Sequence, residues 1–488
     1  MVSISYAMRN IRPALLQAAV ILACFGSGLA LDHLEQLGPA IVVLTVVLGM
    51  SLGRTQRHRG LRARLQTLAT LPLVSIACTE VGRLFAEHPN VADALFTAGL
   101  ALSIWLRRFG PVGLRLGTLL ALPFVALLVT PVPVLPSGLV AGMPSVGHSM
   151  LWSAVAAVIA FGWVWVFQEL GTRIGLIKAL SAAAAHAGGS DRKGEPRKAK
   201  SGIAPSTRMA VQMGLSLGVA FVIGRGVYGS HWAWIVLTAF VVNSGNRGRG
   251  DVAYKCLQRI FGACVGTVVA TVIAGMFPPR DNTAVVAILL VLVIGSWLRT
   301  ISYAYWAGCV TAMLSLLQGY FGETHISLLG ERLEQILIGG ALTVAVAWFV
   351  LPIRSTDVLR RRLADALLAL GAFTEAFRAT PRDSAQVHAR QAAFLLAVEE
   401  LGKVAPTFEG LRRLSALPLV GMTRRGRQGR ERMQTAVAAI DAVRACATPV
   451  RALAGAEHTD AGVEHLRNVK RHAATVRGAL RAPESALT

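Results

Sequence analysis

The chain has 488 residues, 54% of them hydrophobic and 15% charged, and its mean hydropathy is +0.54. That is too apolar for a water-soluble protein of this length, so most of it belongs in a bilayer. The formal net charge of +23 would suggest nucleic acid on a soluble chain. No RNP-type sequence, zinc knuckle or basic recognition helix with interleaved aromatics is present, and no nucleic-acid partner is expected.

Apolar runs that approach the ~30 Å of a hydrocarbon core at ~1.5 Å per residue predict an all-α integral membrane fold of about twelve spans. The first six fall near residues 11–31, 39–53, 67–86, 91–106, 112–130 and 149–170. Arg9 and Arg12 ahead of an apolar run ending Gly28-Leu29-Ala30 also fit a cleavable signal peptide. Against that stands an internal repeat: Val43-Leu44-Thr45 recurs as Val236-Leu237-Thr238, and Trp105-Leu106-Arg107 recurs as Trp297-Leu298-Arg299. The repeat needs residues 11–31 as the first helix of its first copy. Six spans return the chain to its starting side, so the two six-helix copies are expected to run parallel, about a pseudo-twofold axis along the membrane normal.

Within the first copy, domain 1–185, Glu80 and Arg83 lie one helical turn apart at membrane depth. Ionisable groups are costly there and therefore informative. They could pair with each other; otherwise Glu80 is the candidate proton-coupling carboxylate. A basic, Gly- and Pro-bearing stretch at 186–207 reads as a cytoplasmic linker.

The second copy, domain 208–354, has spans near 208–228, 232–245, 260–278, 282–299, 302–320 and 333–352. Gly214 with Gly218, and Gly262 with Gly266, each share one helix face and predict close helix packing. Arg225, near the outer end of the seventh span, has no acidic residue beside it in sequence and could bind an anion or reach the headgroups. His231, Trp232, Trp234, Tyr303, Tyr305 and Trp306 read as an interfacial aromatic belt. The same set, with Arg225, also offers what an aromatic carboxylate needs, a cation for its charge and flat faces for its ring. Arg259 could extend to the headgroups, or join Arg64, Arg247 and Arg249 in a positive vestibule for organic anions.

After Pro352 the character changes to arginine-rich segments with apolar residues at helical spacing, such as Leu359, Leu363, Leu367 and Leu370. Residues 355–488 are predicted to form a cytoplasmic helical domain, with further helices near 384–403, 428–454 and 461–481. If the N-terminus is cytoplasmic, arginines and lysines crowd the inside loops and the tail, and Arg280 and Arg332 are the visible exceptions outside. That distribution places both termini inside, with the basic residues beside anionic headgroups.

The six cysteines form no CxxC pair, and no Cys/His cluster suggests a metal site. Gly224 to Gly229 match GxGxxG, but they end an apolar helix with no preceding strand. With no phosphate loop and no nucleophile elbow, neither an enzyme nor a cofactor is expected.

Residues 232–274 pair a Trp-led helix ending in Leu-Thr with a polar loop, then an arginine followed by Gly-x-x-x-Gly. Trp234, Leu237, Thr238, Arg259, Gly262 and Gly266 supply these features. The stretch resembles the integral membrane transporter domain of the FUSC family of fusaric acid resistance proteins and aromatic acid exporters. It is also distantly similar to aluminium-activated malate channels. The resemblance implies an inner-membrane secondary transporter that exports small organic anions, driven by the proton gradient; the candidate substrate contacts are Trp234, Thr238 and Arg259 of the motif with Arg225, His231, Tyr305 and Trp306 of the cation-and-ring set. A passive anion channel and a membrane scaffold recruiting a partner through its basic tail are the alternatives. A homo-oligomer or a periplasmic adaptor is a further expected partner.

Overall fold

The computed structural model describes residues 11–55, 61–129, 146–175, 203–274, 278, 281–320, 326–379, 383–416, 424–455 and 460–481. No strand occurs among them. They divide into two compact units. The predicted linker lies outside the described residues except for 203–207.

One unit comprises the described parts of Met1–Ala179, Ile203–Asn246 and Lys255–Leu351. Its first helical set is α1 (Ile11–Glu35), α2 (Pro39–Thr55), α3 (Leu61–Glu87), α4 (Pro89–Trp105), α5 (Gly110–Val129) and α6 (Val146–Arg173). The second set is α7 (Pro205–Tyr228), α8 (Ala233–Asn243), α9 (Arg249–Ala274), α10 (Asn282–Leu298), α11 (Tyr303–Tyr320) and α12 (Ile326–Phe349). Residues 249–254, at the start of α9, cluster with the other unit.

Local chemistry sets several of the ends. Proline occupies the first turn of α4 and of α7, where its missing N–H leaves no bond unmade. The Asp281 side chain accepts from Thr283 N and caps α10. Gly229, at φ +55°, supplies the left-handed residue that ends α7.

Seven of these helices are long and apolar enough to cross a membrane, namely α1, α3, α4 with the short turn after it, α6, α7, α9 and α12. The other five are apolar but shorter, and α8, at 11 residues, rises only about 16 Å.

Packing within the unit follows one pattern twice. In the first set α1, α2 and α6 pack on one another, and in the second set α7, α8 and α12 do the same. Between the sets, the fourth helix of each rests on the first helix of the other, α4 on α7 and α10 on α1. The α4–α7 contact is cored by aromatic rings. Phe85, Phe96, Phe124, Phe221 and Trp232 are all buried, and Phe96 meets Phe124 and Phe221 edge-on at 5.3 and 5.6 Å. Gln212 of α7 donates to the Val350 carbonyl (2.7 Å), which satisfies an acceptor left open at the end of α12.

The other unit contains Arg247–Tyr254 and the described parts of Pro352–Thr488. Its helices are α13 (Ser355–Arg378), α14 (Ser384–Gly402), α15 (Ala405–Ser415), α16 (Arg424–Ala445), α17 (Ala447–Gly455) and α18 (Asp460–Arg481). Apolar positions at helical spacing form one core, including Leu363, Phe373, Phe394, Phe408, Ile440 and Val476. The Arg247–Tyr254 segment is held by polar contacts: the buried Asp251 carboxylate accepts from Thr407 Oγ1 (2.8 Å) and Arg247 N (3.0 Å), and Gly250 N donates to Ser355 Oγ (3.0 Å). Arg247 also donates to the Lys403 carbonyl.

In the same unit Lys403 Nζ lies 2.5 Å from Glu400, and Arg362 lies 3.4 Å from it. Burial alone would raise the Glu400 carboxyl, but the Lys403 bond and the Lys403, Arg362 and Arg247 charges outweigh it and hold the group below its usual range. A depressed carboxyl stabilises the fold above its unfolded pKa, about 4.3, and that contribution is lost as pH falls through the lower folded value. Glu400→Gln is therefore expected to lower thermal stability at pH 7 by up to about 1 kcal/mol, the scale of a partly exposed ion pair. The difference from wild type should shrink as the pH falls below the unfolded value of about 4.3, as read by melting curves at pH 7 and along a series of more acidic buffers.

Candidate functional site

The second helical set buries a polar seam that its apolar sequence barely announces. On α11, Thr311 and Ser315 stand one turn apart on the buried face, and each hydroxyl donates four residues back, to Ala307 O and Thr311 O, both at 2.9 Å. A buried arginine adjoins each of the two. Arg259, from α9, lies 3.5 Å from both Thr311 Oγ1 and Ala307 O. Arg332, from α12, donates to Ser315 Oγ, and its guanidinium lies 4.0 Å from the centroid of the Trp234 ring. Both arginines are only 2% exposed.

Their surroundings differ. Arg332 has the Trp234 face and the Ser315 hydroxyl. Arg259 is held at the limit of hydrogen-bonding distance on one nitrogen, while its Nε and Nη2 are buried without a hydrogen-bond partner among the described residues. A buried, incompletely bonded guanidinium is unfavourable by several kcal/mol, so a fold that keeps one is arranged for something beyond its own stability.

Beside Arg332, Glu331 Oε1 lies 3.6 Å from His231 Nδ1 and 3.4 Å from Gln335 Nε2. The Gln335 side chain in turn accepts from Ile235 N (3.2 Å), one of the N–H groups that open α8. Thr238, one turn further on, is fully buried, and its hydroxyl has no partner among the described residues.

Glycines bring these helices close enough to bury the seam. A Cβ on Gly262 would stand 2.4 Å from the Ala304 carbonyl oxygen, and one on Gly266 would stand 2.3 Å from that of Gly308. Only bare backbone fits between α9 and α11 there. Gly214 meets the Ala101 Cβ at an ordinary 3.6 Å and Gly218 has no neighbour within 4 Å, so that pair makes no comparable approach.

The structure thus gathers Trp234 and Arg259 along one seam, with Trp306 beside Ala307 and under the Arg299 guanidinium at 5.1 Å. Tyr305 is not part of it and stands 52% exposed, because two helical positions before Ala307 lie on a different face. Arg225 is elsewhere too. The absence of a sequence-adjacent acid is corrected by the fold: Asp93 of α4 takes both Arg225 Nε and Nη2, at 2.6 and 2.8 Å. Glu80 bonds Arg83 at 2.5 Å and is a third exposed. Arg64 pairs with Glu169 (3.9 Å) and lies over the Trp165 ring, while Arg247 and Arg249 belong to the other unit. Sequence reading missed Arg332, Ser315, Thr311, Gln335 and Asp93. Arg332 carried a signal, as a cation on the side that the charge rule leaves nearly empty.

The seven membrane-length helices define a multi-pass membrane protein, and no cluster of metal-binding type occurs among the described residues. Residues 215–346, which include all of α8 to α11 and both seam arginines, match the family described as fusaric acid resistance protein-like. The match covers this segment and not the rest of the chain, and the family it points to is one of transporters and not of enzymes. No curated protein and no solved structure matches the chain significantly.

Proposed function

We propose that the protein is an inner-membrane secondary transporter that exports small organic anions, aromatic carboxylates foremost, in a process coupled to the proton gradient. The observation that carries this reading is the Arg259 guanidinium, 2% exposed, with two nitrogens that have no hydrogen-bond partner among the described residues. An anion is the ligand such a group lacks. On the way from Arg259 to Arg332 the Thr311 and Ser315 hydroxyls, which here donate to backbone carbonyls, would turn to donate to the anion.

Twelve crossings with both termini cytoplasmic complete the proposal, the five short apolar helices pairing with longer neighbours. A repeat arrangement is supported by the reciprocal packing of α4 on α7 and α10 on α1, which is what a twofold relation between the sets produces. The test is flux in proteoliposomes with a panel of aromatic anions, with and without a pH gradient. Protein-free liposomes must be subtracted, because the neutral form of a weak acid crosses lipid unaided; an aromatic sulfonate, charged throughout, avoids this. Saturable flux that responds to the gradient is expected. Absence of flux across the panel would sink transport, and flux indifferent to the gradient would sink the coupling.

A further inference from the structure

The Arg225–Asp93 pair is a different construction from the seam. Asp93 comes from the fourth helix of the first set and Arg225 from the first helix of the second, so the pair straddles the contact between the sets. The two-pronged geometry is the strongest an arginine offers a carboxylate. Aromatic faces enclose it: the Arg225 guanidinium lies 4.8 Å from the Trp232 ring and 5.8 Å from the Phe85 ring, and those two rings lie 5.0 Å apart.

Phe85 also lines a cavity of about 270 Å³ inside the first set. Its other walls are chiefly apolar, among them Leu37, Leu44, Cys78 and Pro123, and no charged side chain contributes to the lining. Among its few polar walls is Ser75, 1% exposed, whose hydroxyl has no hydrogen-bond partner among the described residues. An apolar cavity of roughly 150 Å³ already admits a benzene ring. A fixed cation beside the Phe85 ring and an uncharged cavity that the same residue lines supply the two parts of a receptor for an aromatic carboxylate. The cation's position is at present taken by the protein's own carboxylate.

We propose that Arg225, Trp232, Phe85 and this cavity form an aromatic-carboxylate site, and that Asp93 is the internal competitor that links anion binding to proton uptake. Resting on the transporter reading above, this inference supplies its proton. The substrate carboxylate replaces the Asp93 carboxylate at Arg225, and the displaced Asp93 oxygen takes up a proton from the buffered medium, so no second anion is left beside the first. Arg225 stays charged throughout, and no covalent bond to carbon changes. Proton and anion therefore load together and cross together, so the outward step is driven by the anion's own gradient and is slowed when the far side is acidified. Other titratable groups on the surrounding elements are Glu80, Arg83 and Glu87 on α3, His88 before α4, Tyr228 and His231 after Arg225, and Glu331 and Glu334 on α12. Arg83 pairs with Glu80 and Glu87, and His231 with Glu331, whereas Asp93 bonds Arg225 directly and is the carboxylate that an anion there must displace.

The experiment is calorimetric titration of the purified full-length protein with benzoate, in two buffers of different ionisation enthalpy, from pH 6 to pH 8. Wild type is expected to take up close to one proton per benzoate and to bind about tenfold more tightly for each unit of pH decrease. Asp93→Asn should bind more tightly at pH 8, with no proton uptake and no pH dependence. Arg225→Gln should lose the proton-linked binding at least tenfold, and the uncharged Asp93→Asn/Arg225→Gln pair, which keeps side-chain hydrogen bonding, should melt like wild type and also lack it. Proton uptake that persists in Asp93→Asn would overturn the proposal, as would wild-type proton-linked binding by Arg225→Gln. The Arg259→Gln variant separates the two readings: proton-linked benzoate binding there, with flux lost, supports both. Full flux in that variant would fault only the seam, and no benzoate binding to any form would overturn both.

Discussion

Arg259→Gln is expected to reduce aromatic-anion flux in proteoliposomes by about ten- to a hundredfold while leaving the protein as stable as wild type or slightly more so. The flux loss follows from removing one charge-assisted contact, worth about 1.5–3 kcal/mol, at about 1.4 kcal/mol per factor of ten. The stability result separates a ligand-binding arginine from a structural one. Had Arg259 been satisfied by a partner, removing it would leave that partner's charge buried, at about 3–5 kcal/mol. Instead Nε and Nη2 already go without a partner among the described residues, and the remaining contacts are long, at 3.5 Å. Glutamine keeps a donor toward Ala307 O and Thr311 Oγ1 and removes the charge. Melting temperature read beside flux decides the matter: a large drop in both makes Arg259 a structural residue and removes the observation on which the transport path rests.

The contrast with Arg225 shows where sequence reading stops. Both arginines are readable as cations inside apolar runs, and nothing local distinguishes them. Their roles separate only through partners far along the chain, Asp93 for one, brought close by packing between the helical sets, and Thr311 for the other, brought close by packing within the second set. Asp93 drew no attention in sequence because a single acid in a short apolar helix is ambiguous without its counter-charge. Helix positions were legible, since hydrophobic length is a property of local sequence, and so was Arg332 as an oddity of charge distribution. Which face of each helix turns inward was not, because a helix apolar on every side has no periodicity to read. Tyr305 and Trp306 illustrate this: adjacent in sequence and both aromatic, they are 52% and 8% exposed.

Glycine pairs make the same point with a large expected effect. Gly214-x-x-x-Gly218 and Gly262-x-x-x-Gly266 are equivalent as patterns, yet only the second lies against another backbone. Gly266→Val is expected to destabilise the protein by about 3 kcal/mol, at the upper end of the cost of overfilling a packed interior, and to abolish flux. A Cβ at residue 266 would stand 2.3 Å from the Gly308 carbonyl oxygen, a contact that side-chain rotation cannot relieve because the obstructing atom is backbone. Relief requires α9 and α11 to separate, which carries Arg259 away from Thr311 and opens the seam. Gly218→Ala is the matched control. With no atom within 4 Å it creates no clash, and replacing glycine inside a helix should stabilise by up to about 1 kcal/mol. Thermal unfolding of the two variants in one detergent checks the pair: equal losses would mean that both glycine motifs carry helix packing, whereas a loss at 266 alone places the close contact between α9 and α11, where it holds the two sides of the seam together.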